Sequence, residues 1–336
     1  MHVVSTATRR AGRSVFRDMA TGLPRRADLP PTSSTGTRRH TVRVPSRRTF
    51  LLGGAAVAAA GLVGVGYGIE QGELPGRPFL QEHLGLNGAD GAVPDVEPGQ
   101  VLEDSFTSAA RGGIEVGWAL VLPPGSDKTP LPVVVALHGL GADHATLTGP
   151  QFGLDRFLAQ HVAAGGAPFA IATADGGRGY WHPHDGDDAG AMVTDELLPL
   201  LGQRGYDTTR VGLLGWSMGG YGALRLAGLR GAGATSAVVA SSPALWSDAS
   251  DASGSGFSDE KEYAEYSVFH DQGTLAGIPV RVDVGTGDPF YRDVQNYVSH
   301  FPRDAEVTST FERGGHTPGY WRRMLPAQLA FLGHHA

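Results

Sequence analysis

The chain is 336 residues long, 18% charged, with a net charge of −7 and no cysteine. The missing thiols exclude disulfides, thiol catalysis, cysteine metal sites and a lipidated cysteine anchor. The first fifty residues carry 11 Arg, no Lys and only Asp18 and Asp28, a net +9, so the remainder must hold −16 to reach the total. A body this acidic argues against nucleic acid or an anionic membrane surface as a partner.

In chain order, the Arg-, Thr- and Ser-rich residues 1–50 read as disordered. They end in Ser46-Arg47-Arg48-Thr49-Phe50-Leu51, followed by an uncharged stretch over 51–69. Paired arginines ahead of a moderately apolar stretch look like a twin-arginine export signal, an address read by export machinery that carries folded proteins. The stretch is long enough to span ~30 Å of hydrocarbon. Its Gly and Ala content makes it weakly hydrophobic, which favours a signal over a permanent anchor. Export across the cytoplasmic membrane is expected, with the protein secreted or held at the envelope. Contact with the membrane is expected only through this stretch, if it stays uncleaved. Residues 1–69 therefore form the leader, and the Gly/Pro-rich residues 70–99 read as a linker.

Residues 100–336 carry regular patterning and are expected to form one catalytic domain. Segments 105–108 and 114–122 predict an antiparallel strand pair closed by Pro123-Pro124-Gly125. Residues 132–137 form a β-branched run of the kind buried in a parallel sheet. Strand patterns follow at 169–173, 211–214, 236–240, 280–284 and 307–311. Helical patterns alternate with them at 154–162, 192–201, 219–230, 293–300 and 320–332. This alternation implies βαβ crossovers, hence an α/β fold with a mostly parallel central sheet, helices on both faces and an antiparallel N-terminal edge. Residues 247–272 break the rhythm as a polar excursion, either a flap at the site mouth or a spectator loop.

The chemistry centres on Gly215-Trp216-Ser217-Met218-Gly219. With 50 Gly and 20 Ser in the chain, chance alone yields ~0.4 Gly-x-Ser-x-Gly matches, so context must decide. Here the motif joins a short apolar strand to a helix, the setting of the nucleophile elbow of an α/β-hydrolase. A serine hydroxyl needs a base, a group to orient the base, and donors for the developing oxyanion. In this fold the acid and then the histidine follow the serine, each after a late strand. Asp288, in Gly285-Thr286-Gly287-Asp288-Pro289, follows strand 280–284, whereas Asp283 lies inside that strand and Asp271 precedes it. His316, in Gly314-Gly315-His316-Thr317-Pro318, follows the last strand. His300, His334 and His335 read as solvated. The loop His138-Gly139-Leu140-Gly141 at the end of strand 132–137 is positioned to supply one oxyanion donor. That donor is taken as the Leu140 amide, with Gly139 or Gly141 as alternatives. The Met218 amide supplies the other, and the His138 side chain is then structural.

These residues resemble the esterase family related to S-formylglutathione hydrolases, feruloyl esterases and secreted mycolyltransferases. The resemblance spans about 132–332. It rests on Leu137-His138-Gly139, Asp195-Glu196-Leu197-Leu198-Pro199, the elbow with Gly220-Tyr221-Gly222-Ala223-Leu224, and Gly314-Gly315-His316-Thr317-Pro318-Gly319-Tyr320-Trp321. It implies serine-dependent hydrolysis of carboxylic esters. The mycolyltransferases lack the Ser-Met-Gly-Gly pattern, and an export signal argues against the cytoplasmic formylglutathione substrate.

Trp181 and His182, with Trp246, are expected to line the substrate pocket. The cluster Tyr180-Trp181-His182-Pro183-His184-Asp185-Gly186-Asp187-Asp188 invites a metal. Contiguous loop residues lack the fixed facial spacing of a dedicated transition-metal site, leaving a weak calcium site as the alternative. No metal and no organic cofactor is expected. The expectation is an exported serine ester hydrolase working on a small-molecule or envelope ester through a Ser-His-Asp triad and an acyl-enzyme. The alternatives are an acyltransferase using the same triad on an envelope acceptor, and a non-catalytic binding module on this scaffold.

Overall fold

The continuous apolar runs are explained by a sheet that is covered on both faces. In β3 (Pro132–Leu137), Val133, Val135 and Leu137 enter one core cluster, and Val134 and Ala136 enter the other. Because strand side chains alternate between faces, a strand buried on both sides has no polar positions to spare. The computed structural model describes residues 76–336 apart from 127–129, 253 and 255. The basic leader, the paired arginines and the apolar stretch lie outside those residues. Among the described residues, no helix is long and apolar enough to cross a membrane.

The chain order is α1 (Arg77–His83), β1 (Val101–Ser108), β2 (Ile114–Val121), β3, α2 (His144–Thr148), α3 (Leu154–Ala163) and β4 (Ala170–Ala174). A ribbon of β5 (Pro183–His184) and β6 (Asp187–Asp188) leads into α4 (Ala189–Ala191), a π-helical turn (Met192–Leu197) and α5 (Leu198–Gln203). Next come β7 (Asp207–Trp216), α6 (Met218–Arg230), β8 (Thr235–Ser241), α7 (Glu260–Tyr266) and β9 (Val280–Gly285). The chain finishes with α8 (Tyr291–Ser299), β10 (Val307–Glu312) and α9 (Pro318–His335).

The eight-stranded sheet has the order β1-β2-β4-β3-β7-β8-β9-β10. β2 runs antiparallel to both β1 and β4, and every other neighbouring pair is parallel. The mostly parallel sheet and the antiparallel edge match the sequence expectation. Parallel strands bring their carboxyl ends to one rim of the sheet, where ligands bind in such folds. His138 follows β3, Ser217 follows β7, Asp288 follows β9 and His316 follows β10, so all four loops open on that rim.

Two segments differ from the sequence expectation. Within the Gly/Pro-rich stretch of 70–99, residues 76–99 lie on the domain rather than hanging from it. Gly91 N–H donates to Gly319 O at 2.8 Å. Arg322 Nε reaches Gly91 O at 2.6 Å, and Arg156 Nη1 reaches Val96 O at 2.8 Å. Glycine content permits this close approach: a Cβ on Gly91 would lie 2.2 Å from the backbone of Arg323. The excursion of 247–272, apart from 253 and 255, also carries more regular structure than its polarity implies. It contains α7, capped where the Asp259 side chain accepts from Glu262 N at 2.8 Å, and it buries Phe257, Val268 and Phe269.

Candidate active site

The nucleophile elbow is built from local collisions. Ser217 sits at φ 56°, ψ −120°, in the left-handed half of backbone space, between β7 and α6. A residue other than glycine is held there only by its surroundings. The turn brings Gly215 against Gly219 and Gly219 against the end of β3. A Cβ on Gly215 would meet Gly219 O at 2.0 Å, and one on Gly219 would meet Leu137 O at the same distance. The two glycines of the motif are therefore required by the bend that lifts the serine.

His316 and Asp288 converge on that serine. His316 Nε2 lies 2.8 Å from Ser217 Oγ, and His316 Nδ1 lies 2.8 Å from Asp288 Oδ2. Asp288 is 2% exposed, and its other oxygen accepts from Phe290 N at 2.9 Å. A carboxylate fixed at both oxygens holds the imidazole with Nδ1 protonated and Nε2 facing the hydroxyl. Asp283 is fully buried inside β9, where Arg281 Nε and Gln328 Nε2 donate to it at 2.8 and 2.9 Å. It belongs to the sheet and not to the site. His300 caps the end of α8, with Nδ1 2.7 Å from Asn296 O.

The loop after β3 forms the opposite wall. His138 is buried, and its Nε2 accepts from Gly176 N at 2.8 Å while Nδ1 donates to Gly139 O at 2.8 Å. Burial holds its pKa below the usual imidazole value, so the ring stays neutral and works as a bracket for the loop. Gly139 packs against the elbow, its Cβ position lying 3.4 Å from Ser217 Cβ. Leu140 follows, 39% exposed. Across the site, the Gly220 and Tyr221 amides bond back to Ser217 O at 2.9 and 3.1 Å. The Met218 amide opens α6 and, like other first-turn helix amides, has no intrahelical acceptor.

Ser217 and His316 open into a cavity of about 450 Å³. Leu140, Leu147, Phe152, Tyr180, Phe290 and Trp321 are among the residues that line it, and none of its lining residues is Asp, Glu, Lys or Arg. None of the three expected pocket residues is among its lining residues. Trp181 is fully buried, wedged where Cβ atoms on Gly176 and Gly222 would stand 2.2 and 2.6 Å from its ring. His182 is also fully buried, stacked on Phe257 and Tyr266 at centroid distances of 5.0 and 4.9 Å. Burial, followed by the charge of Arg225, pushes its pKa down to about 4. Tyr180 and Trp181 have φ of 54° and 61°. This turn presents Tyr180 to the cavity and drives Trp181 into the core. Trp246 stands behind the lining, with its ring 5.7 Å from Tyr180 and 5.3 Å from Phe290.

A family model described as "Putative esterase" matches residues 109–332. The chain belongs to that esterase family. It is a carboxylic ester hydrolase with an α/β-hydrolase fold. A twin-arginine translocation signal matches residues 44–64, directing this esterase across the cytoplasmic membrane through the twin-arginine machinery. No curated protein matches the chain. Among solved structures, it is similar to fluorophosphonate-binding serine hydrolase F of Staphylococcus aureus (TM-score 0.60, 17% identity, 70% of this chain and 99% of that one). It is also similar to a ferulic acid esterase of Anaeromyces mucronatus (0.58, 18%, 72% and 92%). A third is an S-formylglutathione hydrolase of Agrobacterium tumefaciens (0.56, 18%, 72% and 97%). At these identities the likeness speaks to fold.

Sequence reasoning missed Leu147, Phe152, Tyr180, Phe290 and Trp321 as cavity walls. Phe290 lies two residues beyond Asp288 and Trp321 five beyond His316, so the motif loops themselves could have supplied them.

Proposed function

We propose that this esterase cleaves its substrate through an acyl-enzyme on Ser217, with His316 as base and Asp288 as the group that orients it. The observation that carries the reading is the continuous relay from Ser217 Oγ to His316 Nε2 and from His316 Nδ1 to Asp288, at 2.8 Å for each step. Ser217 Oγ attacks the ester carbonyl as its proton passes to His316 Nε2. The carbonyl oxygen, now carrying the charge, takes hydrogen bonds from the Leu140 and Met218 amides; losing one such donor typically costs ~10²–10³ in kcat. The tetrahedral centre collapses, and His316 returns the proton to the departing alcohol. Water, activated by the same imidazole, then releases the acid and frees the serine. Asp288 stabilises the charged imidazole without taking its proton.

The cavity favours an apolar acyl group of aromatic size. A formyl group would leave most of about 450 Å³ unfilled, and unfilled apolar space forfeits the dispersion contacts that hold an acyl chain. Turnover of p-nitrophenyl acetate, p-nitrophenyl butyrate and methyl cinnamate by the wild type and Ser217→Ala tests both statements. Hydrolysis is expected to fall by ~10⁶ in the variant. The cinnamoyl and butyryl esters are expected to be cleaved with higher kcat/KM than the acetyl ester. Equal turnover in the two proteins would overturn the role of Ser217. Transfer of the acyl group to an added alcohol in preference to water would recast the enzyme as an acyltransferase.

A further inference from the structure

A second cluster of chemical groups lies on the far side of Tyr180. The ribbon of β5 and β6 brings His182 and His184 against Glu262 of α7, and one donor atom from each lies within 4.8 Å of the other two. Glu262 Oε1 is 2.8 Å from His184 Nδ1 and 3.4 Å from His182 Nε2. These residues take no part in the relay at Ser217.

The tautomer of His182 makes the cluster unusual. The Tyr221 hydroxyl donates its only proton to Tyr266 O at 2.6 Å. Its 3.1 Å contact with His182 Nδ1 must therefore be one in which Nδ1–H donates and the phenol oxygen accepts. His182 Nε2 is thus a bare lone pair. It is fully buried, has no hydrogen-bond partner, and is aimed at the carboxylate of Glu262. A buried lone pair facing a carboxylate leaves His182 Nε2 unsatisfied, which is costly unless a cation or a proton stands between the two.

We propose that His182 Nε2, His184 Nδ1 and Glu262 Oε1 bind a zinc ion, a site separate from the ester-cleaving centre. Two imidazoles and a carboxylate form a donor set that zinc favours, with a fourth position left for water. For ligands ~2.0–2.1 Å from a tetrahedral ion, neighbouring donors stand about 3.3–3.4 Å apart, which the His182–Glu262 pair already does. The His184–Glu262 pair must open slightly. To ligate through Nδ1, His184 must carry its proton on Nε2, so the Nδ1–H···Glu262 hydrogen bond is given up when the ion binds. The outer contact is already in place, because the Tyr221 oxygen fixes His182 with Nε2 free. Bound zinc would fasten α7, and with it the excursion of 247–272, to the ribbon that follows Tyr180 and Trp181. This explains how a polar segment is held against the domain beside the cavity wall.

The test uses the full chain, stripped with a chelator, then titrated with zinc chloride by calorimetry and with cobalt chloride by visible absorption. One ion per chain and the intense absorption of four-coordinate cobalt are expected, together with a higher melting temperature in zinc. Tyr221→Phe, which removes the oxygen that fixes the tautomer, should weaken binding about 10- to 100-fold, and Glu262→Gln and His184→Ala by more. Circular dichroism is the check that each variant is folded. No saturable binding by the wild type would overturn the proposal. Binding that is unchanged in both Glu262→Gln and His184→Ala would also overturn it, tracing the ion to histidines elsewhere, such as His334 and His335.

Discussion

The elbow and the wall beside it are built on opposite plans. Around Ser217, conformation is dictated by backbone at close quarters: Gly215 and Gly219 are there because the turn and the end of β3 leave no room for a Cβ. Around Tyr180, conformation is dictated by residues far apart in the chain. Trp181 fills the space over Gly222, His182 lies between Phe257 and Tyr266, and Trp246 bridges Tyr180 and Phe290. The first region concentrates strain to present one hydroxyl. The second spreads packing over a wide area to hold one wall still. Substitutions in the two regions should therefore fail in different ways, the first in rate and the second in stability.

The largest separation is expected from Asp288→Asn. The amide cannot hold His316 in its working tautomer, so kcat should drop by ~10⁴ while the melting temperature barely moves; activity and thermal melts on one preparation check both. Trp181→Ala should do the reverse. Emptying the site of a fully buried indole costs ~3–5 kcal/mol, read from urea unfolding, with kcat per folded molecule within a few-fold of wild type. A large loss of kcat in a folded Trp181→Ala protein would mean that the wall takes part in the chemistry. Gly219→Ala combines the two failures. Its Cβ collides with Leu137 O, so a loss on the order of 2 kcal/mol and a displaced Ser217 should appear together in unfolding and turnover.

The smallest effect concerns pH. Burial lowers the folded-state pKa of His138 below its usual 6.5. As pH falls through 6.5, the unfolded chain takes up this proton before the folded one does, so stability rises with pH across that window and is lost on acidification. Comparing urea midpoints at pH 7.5 and 5.5 in the wild type and His138→Asn should show a smaller difference in the variant. An equal difference would mean that His138 titrates normally in the folded protein.

The same contrast explains how much could be read from the sequence. Gly215 to Gly219, the loop after β3 and the order of Ser217, Asp288 and His316 were legible as a pattern because each stands at the end of a strand. The strands themselves were legible to within a few residues because burial on both faces leaves continuous apolar runs. Trp181 and His182 were misplaced because a polar loop reads as solvent-facing. Nothing in Tyr180-Trp181-His182 announces the two positive φ values that turn Trp181 inward. Residues 76–99 were misread because a segment rich in Gly and Pro has the same composition whether it hangs free or lies close against a surface.

That last segment bears on where the chain can be cut. Gln81 accepts from Thr286 Oγ1 at 3.3 Å. A Cβ on Gly287 would lie 2.4 Å from Asn87 Oδ1, and one on Gly315 would lie 3.0 Å from Asn87 Nδ2. Those two glycines adjoin Asp288 and His316, so the segment leaving the export leader is also the backing of the loops that carry these two residues. Maturation that trims the leader upstream of Gly76 leaves the backing in place. A cut at the start of β1 would release a protein with its sheet, Ser217, Asp288 and His316, but with the loops of the last two stripped of their outer support.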